Sequence, residues 1–324
     1  MTRTLARDTP VVVAARRTPI ATAGRSLAHL RPDELAGPVL RAVTDDLVGL
    51  VGPAQPSLPP DRVPVQVDDV VLGSSRGPDG ALARVAALRA GLGDRVPGMT
   101  VDRQCASGLA AIVTASALVA SGQATIVLAG GVESASSAPA GRARFAPDDL
   151  GDPDMGVAAE TVAREAAIGR ERQDAYAARS HTRALEAQRR GGFDEEIVPL
   201  AGLAADERPR AITVERLARL PAAFVDGGSV TAGNSCGVND GAGAVAVVPV
   251  HGDDVVLIRQ YRAPIGRDLL EIPAGELDMP GEDPIAAAGR ELEEEVGLRA
   301  ASLEQVASFW TTPGFSNEYM WIYL

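Results

Sequence analysis

Apolar positions along this chain fall into short runs that alternate with helical stripes. Residues 11–15 (VVVAA) form a β-type run that Arg17-Thr18-Pro19 closes. Residues 32–48 repeat their apolar positions at helical spacing, with Asp33 near the start. Gly37-Pro38 predicts a kink or a delayed beginning there. Residues 51–64 are rich in Pro and Gly and read as a loop. A buried strand follows at 68–72, a helix at 81–92, a strand at 99–101, a helix at 106–121 and a strand at 125–129. This β-α-β alternation predicts an α/β sheet with helices on its faces. Residues 138–153 read as loop, and 158–190 hold two helical patterns, the second starting near Glu171. Residues 191–221 are mixed, and 242–248 make a clean apolar strand. Then the pattern changes. Strands at 254–261 and 269–273 lead to a strongly acidic helix at 283–296. No internal repeat or low-complexity segment interrupts the chain.

Composition narrows the possibilities. At 324 residues and 46% hydrophobic content, the chain can bury two modest cores or one large one. The net charge of −12 is uneven: residues 249–324 hold 5 Arg against 14 acids, a balance of −9, which leaves −3 for the first 248. An acidic segment repels nucleic acid and anionic membrane, and suits a protein that recruits cations. All 31 basic residues are Arg, so a Schiff-base lysine, a pyridoxal-phosphate lysine and a P-loop lysine are excluded. Two cysteines are too few for a disulfide framework or a structural zinc site. The opening residues, with Arg3, Arg7 and Asp8, lack a signal-peptide pattern. The longest apolar run, 108–131, is too rich in Ala, Ser and Thr, and too interrupted by Gly122-Gln123, to span a membrane. The expectation is a soluble cytoplasmic protein that binds neither nucleic acid nor membrane.

Asp102-Arg103-Gln104-Cys105-Ala106-Ser107-Gly108 lies at a strand-to-helix junction. The partial positive charge of a helix N-terminus favours thiolate, and small neighbours leave room for an acyl group. Taken alone, such a cysteine is more often a small core hydrophobe than a nucleophile. The surroundings decide otherwise. Besides this motif the chain carries Arg17-Thr18-Pro19, Ala129-Gly130-Gly131-Val132-Glu133-Ser134, Met155-Gly156 with Ala159-Glu160, and Arg172-Gln173-Asp174 leading to Ser180-His181. Phe193-Asp194-Glu195-Glu196-Ile197-Val198-Pro199 and Thr231-Ala232-Gly233-Asn234-Ser235-Cys236-Gly237-Val238-Asn239-Asp240-Gly241 complete the set. With these motifs, residues 10–248 resemble the thiolases, the acyl-CoA acyltransferases.

The resemblance implies a layered α/β half with an inserted loop domain at about 135–230 that cradles coenzyme A. It makes Cys105 the catalytic nucleophile and a coenzyme A thioester the substrate. It places Met155, Ser235 and Cys236 at the coenzyme A side, Cys236 standing where the family often has Ser. Thiolases pair two such halves. The second half normally brings an Asn-Glu-Ala-Phe motif, a Gly-His-Pro histidine and a Cys-x-Gly cysteine, and none of these occurs in the 324 residues. His29, His181 and His251 read as surface or structural. Full condensation or thiolysis is therefore not expected, since an activated thiol needs its base.

The last quarter holds Glu282-x7-Arg290-Glu291-Leu292-x-Glu294-Glu295-x-Gly297-Leu298, eight fixed positions over seventeen residues. Glu291, Glu294 and Glu295 share one helix face at i, i+3 and i+4. A solvated acidic face would tolerate their repulsion, and a hard divalent cation would convert it into affinity. The segment resembles the Nudix box. The strand around Arg259-Gln260-Tyr261-Arg262 extends the resemblance upstream of the box, and the Glu271-Ile272-Pro273-Ala274-Gly275 lead-in with Pro313, sixteen residues past Gly297, resembles the ADP-ribose pyrophosphatase branch. The resemblance implies a partial Nudix α/β/α domain over 249–324, after a first domain over 1–248. It assigns Mg²⁺ or Mn²⁺ to Glu291, Glu294, Glu295 and the Ala274 carbonyl, with Glu294 also catalytic. Arg262 is assigned to the diphosphate of an ADP-ribose-like nucleotide, and Arg290 to an ion pair within the box. Hydrolysis is expected to be weak, because the base-bearing loop of the family has no counterpart before Leu324.

Residues 241–248 serve both resemblances, so one strand is claimed by two sheets. Each strand has only two hydrogen-bonding edges. That conflict favours an assembled fusion of two partial genes, ahead of a working bifunctional enzyme or a binding scaffold. The partners expected are acyl-CoA, ADP-ribose-like nucleotides and a second copy in a homodimer.

Overall fold

The computed structural model describes residues 3–4, 10–51, 66–76, 80–139, 141, 143–249, 256–262, 267–271, 283–296, 300, 303, 305–310 and 319–323. The chain divides into two compact units, one of Pro10–Pro249, the other of Met1–Thr9 with Val250–Leu324. The expected loop at 51–64 lies almost wholly outside the described residues.

The first strand, β1 (Arg3–Thr4), belongs to the discontinuous unit. The larger unit then runs β2 (Pro10–Arg17), β3 (Ala21–Thr22), α1 (Pro32–Val51), β4 (Asp69–Gly73), α2 (Leu82–Arg89) and β5 (Gly98–Val101). It continues with α3 (Ser107–Ala120), β6 (Val127–Ser134), α4 (Met155–Glu165), α5 (Arg170–Arg189), α6 (Val214–Leu217) and β7 (Asn239–Pro249). One six-stranded sheet has the order β2-β7-β6-β4-β5, with β3 also on β7. β4 pairs in parallel with β5 and β6, whereas β7 runs antiparallel to β6 and β2.

The period-2 alternation of the strands sorts the core into two faces. Val70, Leu72, Leu128, Val132, Ala242, Ala244 and Ala246 pack with α1 and α2. Val71, Val127, Ala129 and Val247 point the other way and pack on Ala111, Ala115 and Val119 of α3. The result is the expected layered α/β arrangement. On α1, Leu35, Val39, Leu40, Val43 and Leu47 are all buried on one stripe, each contributing about 1.5–3 kcal/mol by leaving water.

One sequence expectation changes. Gly37-Pro38 does not break α1, which runs unbroken through both. Gly37 instead makes room for a neighbour: a Cβ there would meet Cγ of Arg89 at 2.8 Å. That stem carries a guanidinium whose Nε donates to Asp33 at 2.7 Å, and Arg31 donates to the same carboxylate at 3.0 Å. Burial alone would raise the Asp33 pKa, but these two arginines hold it below the ordinary value. The α3 helix is buried along one face only. Its inner face is Ala111, Ala115 and Val119, while Leu109 and Val113 are 65% and 58% exposed.

The strand claimed by two sheets is settled by its edges. β7 pairs with β6 along one edge and with β2 and β3 along the other, so it belongs to the sheet of the larger unit. In the second unit, β8 (Val256–Arg262) pairs antiparallel with β9 (Arg267–Glu271) on one side and with β1 on the other. The acidic helix α7 (Pro284–Val296) follows, then the antiparallel pair β10 (Gln305–Trp310) and β11 (Tyr319–Tyr323). No helix among the described residues is long and apolar enough to cross a membrane.

Candidate active site

Cys105 sits where β5 gives way to α3. Asp102 and Arg103 leave the strand, and Gln104–Ala106 form a single 3-10 turn on which α3 begins at Ser107. The thiol is exposed. The turn is built by local polar contacts. The Asp102 carboxylate accepts from the Gln104 amide at 2.8 Å, and the Ser107 hydroxyl accepts from the Arg103 amide at 2.8 Å. Gln104 has φ 51°, in the left-handed region.

Glycines bring the helix start directly onto the sheet. A Cβ on Gly73, at the end of β4, would overlap the Ser107 carbonyl. A Cβ on Gly131, in β6, would meet Cα of Gly108 at 3.2 Å. Larger residues at either position would push the Cys105 turn off the strand ends. Beside them, Glu133 accepts from the Ser75 amide at 2.9 Å and the Ser75 hydroxyl at 2.7 Å.

Ser235 and Cys236 lie in the loop that leads into β7. Cys236 is exposed, and the Ser235 hydroxyl is buried without a hydrogen-bond partner. Thr231 and Asn234 brace this loop. The Asn234 amide donates to Asp174 at 2.9 Å and to the Ser229 carbonyl at 3.1 Å, and Asp174, fully buried, also takes Arg170 at 2.7 Å. Met155 is the exposed first residue of α4. That helix is tied to the same loop segment by Glu160, which accepts from the amides of Ser229 and Val230 at 3.0 and 2.7 Å. These two amides are the main reason the Glu160 pKa falls below its ordinary value. Met155, Ser235 and Cys236 are thus carried by one braced assembly.

Two arginines join the picture that motif reading did not single out. A Cβ on Gly237 would strike the Arg208 guanidinium, so that cation lies directly against the backbone next to Cys236. The Arg210 amide donates to Nδ1 of His181 at 3.4 Å. Burial lowers the His181 pKa, with Arg210 and Arg208 adding to the effect. The glycine after Cys236 was the available signal, but only the fold shows what it admits. His29 is exposed, and His251 lies outside the described residues.

In the second unit, Nη1 of Arg290 contacts the Glu291 carboxylate at 2.7 Å, both side chains being partly buried. Glu294 and Glu295 follow on α7 and Arg262 ends β8 opposite Arg267, but their side chains lie outside the described residues, as does Ala274 altogether. Among the described residues no three His, Cys, Asp or Glu side chains are grouped to hold a metal.

Residues 10–251 match the family profile "Thiolase, N-terminal domain", and residues 241–324 match "NUDIX domain". A Bacillus subtilis protein named as an acetyl-CoA C-acetyltransferase, YhfS, is 42% identical over 244 residues, 74% of this chain and 62% of that protein. The chain therefore spans a little over three fifths of the length of the curated relatives it matches. The crystal structure of the Bacillus anthracis acetyl-CoA acetyltransferase superposes with a TM-score of 0.67 at 36% identity, covering 78% of this chain and 70% of that one. Human mitochondrial 3-ketoacyl-CoA thiolase in complex with CoA gives 0.64 at 31% identity, with coverage of 74% and 64%.

Proposed function

The chain belongs to the thiolase family, whose N-terminal domain it carries in residues 10–251, and on that premise we propose that Cys105 is the acyl-accepting nucleophile of an acyl-CoA acyltransferase module. The exposed thiol on a braced turn at a helix start carries this reading. In the transfer, the C–S bond of a coenzyme A thioester breaks and a new one forms to Sγ of Cys105. The proton of the attacking thiol ends on the departing coenzyme A thiol, so the step balances without a further reactant.

The region of about 135–230 then acts as the coenzyme A cradle, with Met155, Ser235 and Cys236 on the pantetheine side. The unpartnered Ser235 hydroxyl supports that assignment, because a buried polar group without a partner is costly until a ligand supplies one. Arg208 and Arg210 supply cations suited to the phosphates of coenzyme A. His29 and His181 do not stand in the family's acid/base motif, so neither is proposed as the base for Cys105.

The second proposed module, over 249–324, is a Nudix hydrolase acting on an ADP-ribose-like diphosphate. Carboxylates are the hard oxygen donors that Mg²⁺ and Mn²⁺ prefer, so the donor set fits such an ion. Glu291, Glu294, Glu295 and the Ala274 carbonyl would hold it, Glu294 also serving catalysis, while Arg262 orients the diphosphate. When bound, the ion neutralises charge that builds on phosphoryl oxygens. A cytoplasmic location suits both modules.

The test is intact-mass analysis after incubation with acetyl-CoA. The wild type is expected to gain one acetyl group and Cys105→Ser none. An unmodified wild type would overturn the reading in favour of a scaffold that binds acyl-CoA or nucleotide without reacting.

A further inference from the structure

Gln104 holds a backbone conformation that a residue with a side chain rarely adopts, one position before the thiol. Such a conformation persists only when its surroundings over-determine it. Both peptide groups flanking Gln104 are fixed by side chains. On the N-terminal side, the Asp102 carboxylate takes the Gln104 amide. On the C-terminal side, the carbonyl of Gln104 accepts the Ser107 hydroxyl at 2.6 Å and the Ser107 amide as well. Ser107 is itself buried and receives the Arg103 amide, so its hydroxyl spans the turn from both ends. Asp102, by contrast, is exposed, so its bond to the turn does not serve the core.

We propose that Asp102 and Ser107 are positioning residues: together they lock Gln104 in its left-handed conformation, and that lock aims the Cys105 thiol outward from the start of α3. The inference rests on the reading of Cys105 as nucleophile but concerns different atoms. If Gln104 relaxes to an ordinary negative φ, the peptide joining it to Cys105 rotates. The thiol then turns away from the open side of the turn, although Cys105 itself is unchanged.

The experiment measures the rate at which iodoacetamide alkylates Cys105 in the full chain, with peptide mass mapping to separate it from Cys236. Asp102→Ala removes the acceptor and Asp102→Asn keeps one while removing the charge. A loss of about tenfold is expected in Asp102→Ala, the scale of one hydrogen bond, with recovery in Asp102→Asn. Ser107→Ala should match Asp102→Ala if it folds; if it does not, the exposed Asp102 pair carries the result alone. A purely electrostatic role predicts the reverse, since losing a negative charge beside a thiol speeds its alkylation in both Asp102 variants. Equal rates in wild type and Asp102→Ala, or equally raised rates in both Asp102 variants, would overturn the proposal. Failure of acetyl-CoA to acylate the wild type would sink the nucleophile reading while leaving the alkylation comparison intact.

Discussion

The Cys105 turn and the acidic face of α7 are both short motifs carrying chemistry, yet they are fixed by different means. The Cys105 turn is held from below by the sheet. Gly73 of β4 and Gly131 of β6 let the start of α3 rest on two strand ends, and Asp102 and Ser107 finish the corner. On α7, helical periodicity alone puts Glu291, Glu294 and Glu295 on one face. The contact between Arg290 and its chain neighbour Glu291 is local to that helix. A site set by strand ends is sensitive to one methyl group, and a site set by helix period is sensitive to charge.

The first consequence is the largest. Gly73→Ala should destabilise the Pro10–Pro249 unit by about 2–3 kcal/mol, because its Cβ has no space against the Ser107 carbonyl. Denaturant midpoints check this, and an unchanged midpoint would show that the strand ends do not support the turn. The next effect is electrostatic. Glu295→Gln should weaken Mn²⁺ binding and the Mg²⁺-dependent hydrolysis of ADP-ribose to AMP and ribose 5-phosphate by about tenfold, the scale of one lost charge-assisted contact. Glu293→Gln, at the one position of that run the box leaves free, should do far less. Equal effects of the two substitutions would reduce the face to general negative charge. The smallest effect is in pH. The His181 pKa lies below 6.5 in the folded chain, so the unfolded chain takes up that proton first. Its contribution to stability is therefore complete above pH 6.5 and is lost as pH falls below that value. Glu160, also depressed, keeps its contribution until pH falls below about 4.5, its ordinary value. Replacing His181 with Gln should flatten the pH dependence of thermal unfolding below pH 6.5 and leave the lower limb unchanged.

Much of the larger unit is legible because apolar alternation and helical spacing are local. The stripe Leu35, Val39, Val43 and Leu47 locates α1, and Val70-Val71-Leu72 locates β4. The misses share a cause in contacts between distant residues. Gly130-Gly131 reads as the end of a strand, yet β6 continues to Ser134 because Gly243 of β7 lies against Gly130. Gly37 reads as part of a kink or a delayed helix start, yet it answers to Arg89, fifty-two positions away. The motif around Cys105 is readable from residue types, but the left-handed Gln104 is not, since nothing in Gln favours that conformation. The rivalry over 241–248 is visible in sequence as two overlapping patterns, and only the pairing of β7 with β2 and β6 decides it. Arg208 was invisible for the same reason as Arg89: its meaning lies in the glycine it faces.

One pairing has a consequence for how the chain can be cut and rejoined. Pro10 and Pro249 are partners on adjacent antiparallel strands, so the larger unit starts and finishes about 5 Å apart. The other unit takes in residues from both sides of it, with β1 hydrogen-bonded to β8. A short loop joining 249 to 10 would therefore close that unit, whose ends could then be relocated to one of its exposed loops.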